Sequence, residues 1–184
     1  MKAYLLLLRG INVGGKNKLR MAHLKVFLEQ RGYRDVSTYI ASGNVILKSR
    51  RSAAATQTDI EAALPKAFKL DSELVKVLVL THDQLKAIVD SKPAGFGDQP
   101  GRYHSDAVFL IDIDAAEALA VFQPRDGVDV IWPGERVIYS QRLSAQRTRS
   151  RLSKIVGTRP YQSMTIRSWS TTKALLELLG KLSD

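Results

Sequence analysis

The sequence predicts an α+β protein made of two similar halves. Three observations support this: the same order of strand and helix patterns occurs twice, each half contains a strand–turn–strand pattern, and a segment rich in glycine and proline separates the halves. The chain has 184 residues, enough for one large domain or two small ones. Its apolar fraction of 45% and charged fraction of 25% are ordinary for a globular protein and exclude a disordered or collagen-like chain.

In the first half, strand and helix patterns follow the order βαββαβ. The predicted strands are 3–8, 36–40, 45–47 and 74–80, and the predicted helices are 20–32 and 60–68. The middle strands are joined by Ala41-Ser42-Gly43-Asn44, a sequence typical of a hairpin turn. Pro65 should kink or shorten the second helix because it lacks a backbone N–H. Thr81 and Gln84 fit a capping box that begins a trailing helix through residue 89.

The second half repeats this order after a loop. The predicted strands are 106–113, 128–132, 136–139 and 163–167, and the predicted helices are 114–122, with Asp114 as its cap, and 146–156. Ser168 should cap a final helix that ends at Gly180. Since βαββαβ is the order of the ferredoxin-like unit, we expect two ferredoxin-like halves in tandem with an extra C-terminal helix. The domain limits are then 1–91, a linker loop at 92–104, and 105–184.

Several kinds of site are excluded by composition or lack a recognisable pattern. The chain has no cysteine, which excludes disulfides, thiolate zinc sites, iron–sulfur clusters and cysteine nucleophiles. Its three histidines are scattered, so no metal, cofactor or catalytic set is predicted. The apolar run 3–8 is too short for a membrane span or a signal peptide. We therefore expect a cytoplasmic protein with no membrane partner, and the oligomeric state stays open.

Positive charge is concentrated in two blocks. The net charge of the chain is +10, with +7 in residues 1–34, +7 in residues 135–167 and −4 in residues 35–134. Two basic blocks around an acidic middle are compatible with an anion-binding surface. They are equally compatible with surplus surface arginine that only keeps the protein soluble. Composition leaves both interpretations open.

The segment between the first strand and the first helix resembles a phosphate-binding loop. Gly10, Gly15 and Lys16 match the G-x-x-x-x-G-K frame, in which backbone N–H groups and a lysine hold phosphate oxygens. However, Asn17 replaces the serine or threonine that would hold Mg²⁺, and the helix begins only near Met21. An antiparallel sheet also does not build a nucleotide hydrolase. The loop is therefore either an anion-binding loop of another kind or a tight structural connection.

Three segments resemble the bacterial domain-of-unknown-function family 1697. They are residues 8–17 (LRGINVGGKN), 39–45 (YIASGNV) and 164–171 (MTIRSWST), and the resemblance extends over essentially the whole chain. It implies a cytoplasmic bacterial protein of duplicated ferredoxin-like build and no established activity. The chain departs from the family pattern at Ala41, where glutamine is usual, and at Ser168, where asparagine is usual. If those positions contact a ligand, this protein binds it differently.

The leading hypothesis is binding of an anionic, phosphate-bearing partner, with nucleic acid as one candidate. The candidate residues are the cations Arg9, Lys16, Lys18 and Arg20, the backbone donors Gly14 and Gly15, the polar side chains Asn12, Asn17, Ser42 and Asn44, and an opposing wall of Arg149, Arg151, Arg167 and Trp169. This hypothesis expects the two basic blocks to meet in space. The alternatives are an enzyme that acts on a small phosphorylated metabolite and a structural or regulatory domain that binds protein through an exposed sheet edge.

Overall fold

The computed structural model describes residues 1–71 and 75–183, and within them the chain forms two four-stranded antiparallel sheets and five α-helices. The elements are β1 Lys2–Arg9, α1 Met21–Gln30, β2 Arg34–Tyr39, β3 Asn44–Ser49, α2 Ala53–Ala67, β4 Lys76–Leu80, α3 His82–Asp90, β5 Tyr103–Leu110, α4 Ala115–Leu119, β6 Asp129–Gly134, β7 Val137–Leu143, β8 Met164–Ser168 and α5 Trp169–Ser183. The α+β class, the tandem halves and the additional C-terminal helix are confirmed. Among the described residues, no helix has the length and apolar character needed to cross a membrane.

The first sheet is built around β1. Its strand order is β2-β3-β1-β4, so β1 is paired on both sides, with Leu6 opposite Val45 of β3 and Val79 of β4. The residues Tyr4 to Leu8 are all buried, which explains why this strand is a continuous apolar run rather than an alternating one. On one face of the sheet, residues of β1 pack with buried residues of α1 and α2, namely Tyr4, Leu6, Leu8, Leu24, Leu28, Ile60 and Leu64.

In the first half, α3 begins at its predicted capping box, whereas α2 is longer than predicted. The Thr81–Gln84 capping box is confirmed: Thr81 N–H donates to Gln84 Oε1 at 3.0 Å, and Gln84 N–H donates to Thr81 Oγ1 at 3.2 Å. α2 begins well before the predicted residue 60, because Ser52 caps it by accepting the N–H of Ala55 at 3.2 Å. Pro65 lies inside α2, which ends two residues later. The predicted strand 74–80 begins at Lys76; Leu74 lies outside the described residues.

The second sheet has the equivalent strand order, β6-β7-β5-β8. β5 is its central strand, with Val108 opposite Ile138 of β7 and Ile166 of β8. As predicted, Asp114 caps α4, since its carboxylate accepts the N–H of Glu117 at 2.8 Å. The helix is shorter than predicted and ends at Leu119. The core of this half is formed by buried residues of both sheet and helix, namely Val108, Leu110, Ala118, Ile138, Ile155 and Met164.

The predicted α-helix over residues 146–156 is wrong. This part of the chain forms short 3₁₀ turns at Ser144–Arg149 and Leu152–Ile155. The physical reason is the buried carboxylate of Asp129, which accepts the backbone N–H of Arg151 at 2.9 Å. In an α-helix that N–H would instead donate to the carbonyl of Arg147. Ser150 is extended (φ −59°, ψ 144°), so Arg149 and Arg151 do not lie on one α-helix.

The C-terminal helix begins as predicted but continues further. Ser168 caps α5 by accepting the N–H of Thr171 at 3.2 Å. The helix runs through Gly180, where an end was predicted, to Ser183. A Cβ atom at residue 180 would lie 3.4 Å from Nε2 of His82, so glycine here permits a close approach to the start of α3.

The chain forms two compact units whose limits differ from the predicted domain limits. One unit is Lys86–Ala174, and the other is Met1–Leu85 together with the residues from Leu175 onward. β5 begins at Tyr103, inside the predicted linker 92–104, and the preceding residues form turns. Phe96 of this segment is fully buried. The limits 1–91 and 105–184 as boundaries of independently folding pieces stay a prediction.

Gly43 should tolerate a side chain less well than Gly14, although both have positive φ (77° and 59°). A Cβ at Gly43 would lie 3.0 Å from Cβ of Leu8, whereas nothing lies within 4 Å of one at Gly14. We expect Gly43→Ala to lower the free energy of unfolding by about 2–3 kcal/mol, and Gly14→Ala by about 1 kcal/mol because only backbone strain is added. Urea denaturation of both variants measures this, and equal losses would contradict the role given to Leu8.

Candidate functional site

The loop between β1 and α1 ends in a tight hairpin turn. Val13 and Lys16 form an isolated antiparallel bridge, in which Lys16 N–H donates to the carbonyl of Val13 at 3.0 Å. Gly14 and Gly15 between them both have positive φ, 59° and 78°, as a type I′ turn requires. Both glycines are exposed, and within the described residues no hydrogen bond engages their backbone N–H groups. The tip of the loop therefore presents two backbone donors to solvent.

Asn12 joins this loop to the turn between β2 and β3. Its Nδ2 donates to the carbonyls of Leu19 and Ala41, both at 2.8 Å, and its Oδ1 accepts the N–H of Leu19 at 2.8 Å. Its backbone has a positive φ of 56°, a conformation that asparagine tolerates better than most residues. Both Nδ2 hydrogens are thus used inside the protein, so the side chain positions the loop.

Asn17 closes the base of the same turn. It is buried, its Nδ2 donates to the carbonyl of Gly10 at 2.8 Å, and its backbone N–H donates to Oδ2 of Asp71 at 2.6 Å. A carboxylate therefore occupies the position where a phosphate-binding loop would offer its next donor to the ligand. α1 begins at Met21, five residues after Lys16, as the sequence predicted. This arrangement differs from the loop of nucleotide hydrolases, in which the helix begins at the lysine.

The turn between β2 and β3 packs against the end of β1. Gly43 accepts the N–H of Leu8 at 2.9 Å. Asn44 is fully buried, and its Nδ2 donates to the carbonyl of Tyr39 and to Oγ of Ser42, both at 2.9 Å. Two of the three motif segments therefore lie side by side in the first unit, and the side chain of Asn44 holds its own turn.

The exposed cations of the loop have no ion-pair partner in the described part of the chain. Lys16, Lys18 and Arg20 are exposed, and no described carboxylate lies within ion-pair distance of them. Arg20 is also the N-cap residue of α1 and makes no side-chain hydrogen bond to the helix end. Arg9 is half-buried at the end of β1 and is engaged in an interaction. The loop thus places three available positive charges close together in sequence.

The candidate residues of the second unit occupy different environments. Arg149 is exposed and donates from Nη1 to Oε1 of Gln146 at 3.0 Å. Arg151 is half-buried, and its Nε atom is buried without an acceptor among the described residues. Arg167 and Trp169 are only 6% and 5% exposed, so they belong mainly to the interior. That these residues meet the loop of the first unit stays a prediction.

The guanidinium of Arg167 is held by neighbouring oxygen atoms. Its Nη1 donates to Oγ1 of Thr165 and to the carbonyl of Ile166, both at 2.8 Å. Burial removes the charge from water and lowers the pKa of Arg167 to about 10. The group is therefore still charged at neutral pH, although it is largely shielded from solvent.

Sequence reasoning missed a cavity of about 350 Å³ in the second unit. It lies beside the start of α5 and is lined by Gly97, Pro100, Tyr103, His104, Ser105, Ser168, Trp169, Ser170 and Lys173. Only Trp169 among these was a candidate residue. His104 and the residues of 97–103 gave no signal because they bear no motif and stand in the predicted linker. Within the described residues, no group of three His, Asp or Glu side chains is arranged to hold a metal ion.

Comparison with known proteins places the chain in a family. The model of a protein of unknown function, DUF1697, matches residues 1–139. The chain belongs to the DUF1697 family. Among solved structures, the conserved bacterial protein SP0830 from Streptococcus pneumoniae is similar, with a TM-score of 0.81 and 27% identity over 96% of this chain and 98% of that chain. No curated protein matches the chain. The resemblance noted in the sequence motifs is confirmed, and the DUF1697 model assigns no activity.

Replacing Asn12 should destabilise the protein. Asn12→Ala removes three hydrogen bonds and leaves the N–H and carbonyl of Leu19 without these partners. We expect a loss of about 2–3 kcal/mol in the free energy of unfolding, measured by urea denaturation. Lys18→Ala, an exposed change in the same loop, is the control and should stay within about 0.5 kcal/mol of the parent protein. A variant at Asn12 as stable as this control would show that the amide does not hold the loop.

The carboxylate of Asp129 should make stability depend on pH. Burial raises its pKa, but the backbone N–H groups of Arg151 and Arg125 and the hydroxyl of Ser150 lower it by more, so that the net shift is downward. A group with a lowered pKa in the folded state stabilises above its unfolded pKa of about 3.9, and this stabilisation is lost as the pH falls towards the folded value.

We therefore expect Asp129→Asn to be destabilising at pH 7 and its deficit relative to the parent protein to shrink below about pH 4. Urea denaturation across this pH range provides the measurement. Asp126→Asn, an exposed neighbour, is the matched control and should change stability by less than about 0.5 kcal/mol at pH 7. If Asp129→Asn lowers the free energy of unfolding by the same amount at every pH, the charge of Asp129 does not contribute to stability.

Proposed function

We propose that the loop between β1 and α1 of this DUF1697 protein binds an anionic, phosphate-bearing partner, with single-stranded nucleic acid as the partner to test first. The observation that carries the proposal is the set of three exposed cations, Lys16, Lys18 and Arg20, which have no ion-pair partner among the described residues.

The contrast with other lysines of the chain supports this proposal. Lys25, Lys48, Lys86 and Lys92 each lie within 4.0 Å of a carboxylate, of Glu29, Asp35, Asp90 and Asp98 respectively. The cations of the loop instead face solvent, where a phosphate can replace water at little desolvation cost. A phosphate group also accepts backbone N–H groups, which Gly14 and Gly15 offer at the exposed tip.

The loop is well ordered by its own hydrogen bonds, and this lowers the entropy lost on binding. Asn12 and Asn17 hold its two sides, while Ser42 and Asn44 hold the neighbouring turn. In this proposal these four residues position the loop, and the glycines and cations contact the ligand. The proposal does not depend on Arg149, Arg151, Arg167 or Trp169 reaching the same ligand.

We also propose that each half is a ferredoxin-like unit. The element order βαββ, the equivalent strand orders of the two sheets and their antiparallel pairing support this assignment. In the second half, 3₁₀ turns replace the second helix, and this is its main departure from the pattern.

A charge-matched pair of variants tests the function. The loop variant is Lys16→Ala, Lys18→Ala and Arg20→Ala combined; the control combines Lys66→Ala, Lys69→Ala and Lys181→Ala, three exposed lysines elsewhere in the same unit. Both lower the net charge equally. Anisotropy of a labelled single-stranded oligonucleotide is measured at two salt concentrations. We expect the loop variant to bind at least tenfold more weakly and to lose about 2 units of the log–log salt slope, which is about 0.7 per phosphate contact.

The control should bind within threefold of the parent protein if the loop is the binding site. Equal losses in both variants would mean that only net charge matters. Parent protein that fails to bind near physiological salt would rule out single-stranded nucleic acid as the partner. Direct calorimetric titration of the parent protein and the loop variant with inorganic phosphate then tests whether the loop takes small phosphates instead.

A further inference from the structure

The cavity of the second unit is a candidate site that is separate from the loop. Its volume of about 350 Å³ is in the range of small-molecule sites, and none of its lining residues is acidic. The lining combines one ammonium group, one imidazole, several hydroxyls and an indole, contributed by Lys173, His104, Tyr103, Ser105, Ser168, Ser170 and Trp169. Such a lining is suited to an anion.

The walls of the cavity are held in place by packing and hydrogen bonds. Phe96 packs edge-on against Trp169, with ring centroids 5.0 Å apart. Gly97 lies so close to the indole that a Cβ would be 2.4 Å from Cδ1 of Trp169. The Gly97 N–H and the Ser105 hydroxyl both donate to Oε1 of the buried Gln141 at 2.9 Å. The cavity is therefore preformed, and its shape does not depend on a ligand.

Trp169 carries an unused donor at this cavity. The residue is only 5% exposed, and its indole N–H has no acceptor among the residues that the structure describes. Nε1 is not among the fully buried atoms without a partner, so this nitrogen remains accessible from the cavity that Trp169 lines. An indole N–H is a hydrogen-bond donor that normally takes a partner. Nε1 lies close to Gly97, since a Cβ there would lie 2.6 Å from Nε1, and both residues line the cavity. This donor is therefore available to an acceptor atom of a ligand in the cavity.

The charges around the cavity favour a negative ligand. Lys173 follows Trp169 by four residues on α5, so the two side chains lie on the same face of the helix. The only carboxylate paired with a lining residue is that of Asp106, 3.2 Å from Nε2 of His104, and it is balanced by Arg142 at 2.7 Å, as far as the described residues show. The start of α5 adds the positive end of a helix dipole.

We infer that this cavity binds a small oxyanion with a planar apolar body, such as an aromatic phosphate monoester or carboxylate, whose oxygens accept from the indole N–H of Trp169 and from the ammonium of Lys173. The planar body would lie against the aromatic and proline walls formed by Tyr103, Trp169 and Pro100. The inference concerns a different unit from the proposed nucleic-acid loop and goes beyond that function.

Binding is tested with three probes, phenyl phosphate, benzoate and inorganic phosphate, at constant ionic strength. The chain contains two tryptophans, so its ¹H–¹⁵N spectrum contains two indole resonances, which Trp132→Phe assigns. We expect phenyl phosphate or benzoate to shift the Trp169 resonance saturably and to leave that of Trp132 in place. Stronger binding of phenyl phosphate than benzoate would identify a phosphate site, and the reverse a carboxylate site. Inorganic phosphate should bind more weakly than the better aromatic probe.

Two variants distinguish binding in the cavity from nonspecific attraction by the net positive charge of the protein. Isothermal titration calorimetry with the better probe should show binding weakened roughly tenfold by Lys173→Gln and roughly fivefold by Trp169→Phe, which keeps an aromatic ring but lacks the N–H. Lys181→Gln, on the same helix, is the control and should stay within twofold. The triple variant of the loop should also bind the probe normally, so failure of one proposal leaves the other intact.

The inference is overturned if none of the probes shifts the Trp169 resonance at concentrations of tens of millimolar. It is also overturned if Lys173→Gln and Lys181→Gln weaken binding equally, because the cavity charge would then have no special role. Thermal unfolding of each variant establishes that a loss of binding is not a loss of folding. Because Lys173 is exposed and Trp169 is buried, we expect Lys173→Gln to destabilise the protein less than Trp169→Phe.

Discussion

The side-chain amide of Asn12 is the contact on which the loop of the first half depends. It satisfies both backbone groups of Leu19 and the carbonyl of Ala41, and so ties the loop after β1 to the turn before β3. Backbone polar groups in such a crowded connection need partners, and the motif asparagines supply them. What the motif leaves for solvent is the glycine tip and the cations, which are the groups that an anion would contact.

Asp129 has a comparable role in the second half, but it acts by preventing a helix. Its carboxylate accepts the N–H groups of Arg125 and Arg151, and the chain between β7 and β8 forms 3₁₀ turns as a result. The arginines of the basic block 135–167 are therefore spread over several turns instead of one helix. In each half, one hydrogen-bonded polar side chain, Asn12 or Asp129, decides the course of a basic segment.

The segment between the two sheets has more structure than its composition suggests. Its glycines and prolines are typical of a loop, and the segment does form turns, but Phe96 is fully buried against the rings of Trp132, Tyr139 and Trp169. Gly97 lies against the indole of Trp169, where there is no room for a side chain. Trp169 thereby becomes part of a rigid cavity wall, with its N–H as the one group of the side chain that lacks a partner in the described structure.

The sequence by itself determined the features that depend on neighbouring residues. The Thr81–Gln84 box and the caps by Asp114 and Ser168 each join residues three apart, so their signals are local. The tertiary structure alone decided the contacts between distant residues: Asn12 to Ala41, Asp129 to Arg151 and Phe96 to Trp169. A single sequence does not show which distant donor meets which acceptor. For that reason the sequence located the candidate loop. It did not show the roles of the loop's asparagines, the 3₁₀ turns in place of a helix at 146–156, or the cavity.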